Sequence, residues 1–187
     1  MKLLKVIVII LATSLMACTK QKVVKPACLF SVQKIAPSWI CDEPYTNLAI
    51  QAVGKFEQSF GGRNYMRDMA ESAARDQLTE RFTFEVAGRI SLYAGKSELS
   101  GKAIDALIVS ANKHIDSTNL TGAKVYLTEV GPEGEVYVLV GLDRSTTKAL
   151  IEQVIVNSVQ SEKELWQVFK TQKLDTQLAI AIATIKD

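Results

Sequence analysis

The stretch AKVYLTEV-GPEG-EVYVLVGL, residues 123–142, decides the fold of this 187-residue chain. Two runs rich in β-branched and aromatic residues flank a Gly-Pro turn, which predicts an antiparallel hairpin with strands over 123–130 and 135–142. Residues 136–140 are apolar at every position. Such a run predicts a central strand, or a sheet covered on both faces, and one of the covers could come from another subunit.

A third strand and a long helix precede the hairpin. Residues 48–56 predict the strand, with Leu48, Ile50 and Ala52 on one face. From Arg63 to about Tyr93, apolar residues recur every four positions, which predicts an amphipathic helix that packs on a sheet or a partner helix. The residues of this stripe are Met66, Ala70, Ala74, Leu78, Phe82, Val86 and Ile90. Gly88 is expected to bend this helix or end it early.

Three further helical segments complete the pattern. The first covers Lys102–His114, the second covers Ser145–Asn157, and a capping box at 161–164 starts the third. The segment 178–185 is apolar nearly all round, so we expect it to be buried in its own domain or in a neighbour. The C-terminal residues predicted to mediate self-association are Leu165, Trp166, Phe169, Leu174, Leu178, Ile182 and Ile185.

The order of these elements predicts an α+β fold in which a long helix packs on a three-stranded antiparallel sheet, in the order β-α-α-β-β-α with added C-terminal helices. Residues 37–187 are long enough for one domain with a real core. Residues 18–36 are polar, basic and without a strong period, so we expect them to form a flexible tether.

The first eighteen residues predict a lipoprotein signal peptide over residues 1–17. Lys2 and Lys5 precede an apolar run, and Ala17 supplies the small residue before Cys18. Acylation of Cys18 would anchor the chain to the lipid bilayer, and Thr19 rather than Asp after it favours the outer membrane. We expect the protein on the periplasmic side of that membrane rather than on the cell surface.

The charge and the cysteine content narrow the range of possible functions further. Removing Lys2 and Lys5 with the signal from the 22 basic side chains leaves 20, equal to the 20 acidic ones, so nothing indicates nucleic-acid binding. The remaining cysteines, Cys28 and Cys41, would lie in an oxidising compartment. Their spacing favours a structural disulfide over a redox pair, which is more typically Cys-x-x-Cys.

Recognisable catalytic patterns are absent from the sequence. His114 is the single histidine, and a histidine at a helix end is more often solvated than catalytic. Metal-ligand spacings, nucleophile elbows and phosphate-binding glycine patterns are all missing, so we predict no catalytic residues, no metal and no cofactor. Trp39 and Trp166 are interpreted as anchors of a core or an interface rather than as ligand stackers.

Three short motifs carry a family resemblance. These are Pro37-Ser38-Trp39-Ile40, Ala52-Val53-Gly54, and the helical group Ala70, Ala73-Ala74-Arg75 and Leu78. Over roughly Pro37–Ile90 the chain resembles the LPP-twenty family of small bacterial outer-membrane lipoproteins, which includes a flagellar basal-disk lipoprotein. The resemblance implies an SHS2-like or dodecin-like core and a non-enzymatic role in envelope or flagellar-motor assembly, where such lipoproteins multimerise.

The leading hypothesis is a lipid-anchored structural or assembly protein that forms homo-oligomers through its sheet and C-terminal helix, with envelope or flagellar proteins as further partners. It predicts that the part lacking residues 1–18 oligomerises and that truncation before Leu174 weakens the oligomer. The alternative is a periplasmic or surface binding module that holds an apolar ligand or a partner protein between the long helix and the sheet. An enzyme is the third and least favoured hypothesis.

Overall fold

A computed structural model describes residues 27–31, 34–95, 100–117, 120–161, 163–170 and 175–184. Along the chain these residues form β1 (Leu29–Ser31), β2 (Lys34–Ile35), a short 3-10 helix (Ser38–Cys41), β3 (Leu48–Phe56), α1 (Gly62–Ala94), α2 (Gly101–Ser117), β4 (Lys124–Val130), β5 (Val136–Asp143), α3 (Arg144–Ser161), α4 (Lys163–Lys170) and α5 (Asp175–Thr184). The predicted fold class is confirmed, because a three-stranded antiparallel sheet packs against the long helix α1 and further helices follow it.

Strand β5 is the central strand of the sheet, whose order is β3-β5-β4. Its side chains alternate between two apolar clusters, as the prediction of a strand covered on both faces requires. Tyr137 and Leu139 point to one face, which we call the Trp39 face because Trp39 packs there. The side chains that point to the opposite face, the helix face, are Val136, Val138, Val140 and Leu142.

Helix α1 approaches β3 closely at a glycine. A Cβ atom on Gly54 would lie 1.9 Å from the carbonyl oxygen of Ala70 and 2.5 Å from the amide nitrogen of Ala74. The small residues of the α1 stripe therefore face the one position of β3 that carries no side chain. The helix does not end early at Gly88, because α1 continues to Ala94.

A β-bulge in β3 overturns one predicted side-chain position. The register with β5 shifts between Leu48 and Ile50, so Ala49 is the extra residue. As a result, Leu48 packs on the Trp39 face, whereas Ile50 and Ala52 belong to the core on the helix face. The prediction that all three share one face is wrong because a bulge reverses the alternation of side chains.

The C-terminal helices complete the core on the helix face. Leu165, Leu178 and Ile182 are buried within the chain, and Trp166 packs partly buried against the same core. These four residues were predicted to mediate self-association. The single chain already buries three of them, so they are not available as a surface for a second copy.

The segment preceding residue 37 contains more structure than the predicted tether. Strands β1 and β2 pair as a small antiparallel hairpin, and Ala36 is buried. The predicted boundary between tether and domain at residue 36 is therefore too far along the chain. Cys28 is bonded to Cys41, and this bond holds the segment on the domain. Among the described residues, no helix has both the length and the apolar character needed to cross a membrane.

The close approach at Gly54 gives a prediction with an internal control. Gly54→Ala should lower the free energy of unfolding by about 3 kcal/mol or more, because the new methyl group meets backbone atoms that cannot move aside. Gly88→Ala should raise it by up to about 1 kcal/mol, because the site is open and alanine favours helix. Urea unfolding followed by circular dichroism measures both, and a Gly54→Ala protein as stable as the parent would contradict the packing.

Candidate functional site at the sheet edges

Several residues singled out from the sequence lie outside what the structure describes. Cys18, Leu174 and Ile185 are outside the described residues, as is the side chain of Phe169. Cys28 and Cys41 form the expected disulfide, with their Cα atoms 5.7 Å apart.

The disulfide fastens a cover onto the Trp39 face of the sheet. Trp39 is buried against Tyr137 and Leu139 of the central strand. Phe30 adds a tilted ring contact with Tyr137, with 5.6 Å between the ring centroids. The cover that could have come from another subunit is thus supplied by the N-terminal segment of the same chain, which leaves the two sheet edges as the places where backbone pairing could continue.

The outer edge of β3 is closed by side chains. Arg81 of α1 donates a hydrogen bond of 2.9 Å to the backbone carbonyl of Gln51, and its guanidinium also makes two 2.7 Å bonds to the carboxylate of Asp42. The hydrogen bonds to Asp42 raise the pKa of Arg81. The Gln51 side chain accepts from the amide of Tyr45 and donates to the carbonyl of Glu43. The residues 42–45 are thereby held beside β3, where a further strand would have to pair.

The outer edge of β4 is covered less. Arg75 of α1 donates long hydrogen bonds of 3.4 and 3.5 Å to the carbonyl of Ala123, just before the strand, but among the described residues no side chain bonds to the backbone of residues 124–130. Helix α1 packs over β3 and β5, and β4 pairs with β5 alone within the described sheet. Val125 and Val130 are each about two-fifths exposed, at 41% and 42%. A seven-residue edge strand with exposed β-branched residues and unpaired backbone groups is a template for pairing with another strand.

A second bulge sets the charges of this edge on one face. The register of β4 shifts between Val125 and Leu127, so Tyr126 is the extra residue. Lys124 then lies opposite Gly141, and Glu129 lies opposite Tyr137. Residues five apart in a regular strand point to opposite faces, but the bulge places Lys124 and Glu129 on the same face, the Trp39 face. The exposed edge therefore carries a cation near one end of β4 and an anion near the other end, both on the Trp39 face.

A second polar cluster joins α2 to α3. The imidazole Nε2 of His114 lies 3.1 Å from the hydroxyl of Ser161, and Ser110 lies 3.2 Å from the same hydroxyl. Both serines also donate to the backbone carbonyl of Ser158. Because both hydroxyls reach this carbonyl of α3, the cluster links α2 to α3. Within the described residues, no group of three or more His, Cys, Asp and Glu side chains could hold a metal ion.

Sequence reasoning missed the closure of β3 and the open edge of β4. Arg81 and Asp42 are 39 positions apart, and charged residues on the polar side of α1 are expected to be solvated. The apolar run of β5 was enough to predict that this strand is central. No sequence pattern predicts the bulges at Ala49 and Tyr126.

A comparison of the chain with protein-family models and with curated proteins found no match in either.

The disulfide gives the next prediction. In the chain covering residues 19–187, Cys28 and Cys41 are the two remaining cysteines. Replacing both with serine should lower the free energy of unfolding by about 3 kcal/mol, the cost of freeing a loop of this length in the unfolded chain. Urea unfolding measures the loss, and the parent protein treated with a reductant should match the double variant. Equal stability of the oxidised parent and the serine variant would show that the bond does not hold the Trp39 cover.

Proposed function

We propose that this protein is a structural lipoprotein of the bacterial outer membrane that is anchored through acylated Cys18 and self-associates through the open edge of β4. The family resemblance points to envelope or flagellar-motor assembly, and the signal sequence predicts the location at the membrane. The single observation that carries self-association is the contrast between the two edges: Arg81 and residues 42–45 occupy the edge of β3 at Gln51, whereas among the described residues no side chain bonds to the backbone of residues 124–130 in β4.

The pairing that fits this edge is antiparallel, with β4 of a second copy. Residues directly opposite each other across two strands must point to the same face. When Lys124 is opposite Glu129 of the other copy, Val125 is opposite Thr128, and every pair satisfies this condition because of the bulge. A two-fold axis then generates the Lys124 to Glu129 pair twice, so the charges that would oppose random pairing favour this register.

Anchoring supports this mode of association. Acyl chains confine the protein to two dimensions, which raises its effective concentration, so a short edge contact of modest affinity suffices for assembly. The C-terminal residues that the sequence predicts for this role are less suitable, because Leu165, Leu178 and Ile182 belong to the core of the chain. Truncation before Leu174 would remove Leu178 and Ile182 from that core, so it would affect folding before it affected association.

Anchoring itself is tested by acylation in a bacterial host. The full chain should incorporate an acyl-chain precursor and partition into the detergent phase, whereas Cys18→Ser should do neither, because the thiol is the acceptor. Cys28→Ser is the matched control and should keep both properties. Equal labelling of the parent and Cys18→Ser proteins would contradict the proposed anchor.

Charge reversal tests the β4 edge in the chain covering residues 19–187. Lys124→Glu and Glu129→Lys should each weaken self-association, because each places like charges opposite one another in both symmetric pairs. The double variant should restore the parent association, because it exchanges the partners of each pair. Sedimentation equilibrium at tens of micromolar measures the dissociation constants, and each single change should raise them about fivefold or more.

A control variant and a crosslinking experiment test whether the loss of association is specific to the β4 edge. Lys102→Glu changes an exposed lysine on α2 and should leave the association unchanged. A single crosslink between Val125→Cys on one copy and Thr128→Cys on another should form readily in the predicted register. A monomeric parent at these concentrations, or single reversals without effect, would refute association through β4.

A further inference from the structure

A cavity of about 550 Å³ opens between β3, α1, α3 and α5, and it has no part in the proposed association. Its apolar wall comes from Ala49, Ile151 and Ala183. Ala49 is the extra residue of the β3 bulge, which bends the strand at this point, and bulges are common beside binding sites. The volume falls within the range of small-molecule sites.

Basic side chains surround this apolar wall. Arg89 is committed to structure, because it pairs with Glu85 and donates a 2.7 Å hydrogen bond to the carbonyl of Ala183. Arg144 has no ion-pair partner among the described residues. Within the described part of the chain, the ion-pair contact of Lys148 is a long one, 3.8 Å to Glu152. Arg144 and Lys148 are both exposed, so the opening of the cavity carries two cationic groups that can meet a ligand.

A buried hydroxyl provides a second and independent observation. Thr147 lines the same cavity and is 3% exposed, yet its oxygen has no hydrogen-bond partner among the described residues. A buried polar atom without a partner costs about 1–3 kcal/mol, so such atoms are rare and require an explanation. The hydroxyl oxygen has almost no exposed surface, so a rotation of the Thr147 side chain toward the cavity would let a ligand oxygen supply the missing partner.

The N-terminal end of α3 does not by itself provide a binding site for an anion in this cavity. The Asp143 carboxylate already accepts hydrogen bonds from the backbone amide of Thr146 and from the hydroxyls of Ser145 and Thr146. These bonds lower the pKa of Asp143 to about 2. The positive end of the helix is therefore compensated, and any anion must be held by the side chains of Arg144 and Lys148 together with Thr147.

We infer that this cavity binds a small amphiphilic anion, with its carboxylate held by Arg144 and Lys148 and its hydrocarbon part against Ala49, Ile151 and Ala183. Thr147 donates its hydroxyl proton to the same head group. A short-chain fatty carboxylate has both parts and is the ligand class that this combination of charge and apolar surface recognises. The site depends on neither anchoring nor self-association.

Isothermal titration of the chain covering residues 19–187 with octanoate tests the inference. This chain retains every residue that the structure describes. Octanoate should bind saturably at one site. Octanol, which lacks the charge, and inorganic phosphate, which lacks the hydrocarbon part, should each bind at least about tenfold more weakly. Absence of saturable octanoate binding, or binding of octanol or phosphate as tight as that of octanoate, would overturn the inference.

Variants of the cavity residues then test which side chains hold the ligand. Arg144→Gln combined with Lys148→Gln should weaken octanoate binding about tenfold, whereas Lys102→Gln combined with Lys113→Gln, two exposed lysines of α2, should leave it unchanged. Thr147→Val should weaken binding several-fold while raising the melting temperature of the unliganded protein, because it removes an unpartnered buried hydroxyl. Unchanged affinity in either cavity variant would overturn the assignment of its residues to the site.

Discussion

Strand β5 carries apolar side chains on both faces, and the rest of the fold follows from the need to remove both sets from water. Helix α1 covers one face, and it comes close enough because Gly54 lies opposite the backbone of Ala70. The other face is covered by Phe30 and Trp39, which lie in a segment too short to be stable alone. The disulfide between Cys28 and Cys41 fixes that segment in place.

Covering both faces leaves the sheet edges as the places where the chain can extend its backbone pairing. The residues that cover the Trp39 face continue into the loop beside β3, where Asp42 and Arg81 hold them. One edge is therefore closed as a consequence of covering the face. Tyr45 of this loop reaches the ring of Tyr126 in β4, with 6.3 Å between the centroids, but no described side chain bonds to the backbone of residues 124–130. A single constraint therefore accounts for both the covered edge and the candidate interface.

The sequence predicts the fold to the extent that local pattern determines it. The period of four along α1 and the unbroken apolar run of β5 predict a long helix on a central strand, and both are confirmed. The bulges at Ala49 and Tyr126 were not predictable, because a bulge is set by how two strands fit together rather than by the residues at its position. The face occupied by Leu48, and the shared face of Lys124 and Glu129, depend on those bulges. The apolar C-terminal end predicted burial correctly but did not reveal whether the burial partner was the same chain or another.

Anchoring through Cys18 and association through β4 are the two proposals that give this architecture a role at a membrane. The most direct test of the central claim is hydrogen-deuterium exchange of the chain covering residues 19–187 at increasing protein concentration. The account predicts that residues 124–130 gain protection as the concentration rises, while residues 48–56 on the closed edge do not change. Concentration-dependent protection at the closed edge, or none at residues 124–130, would contradict it.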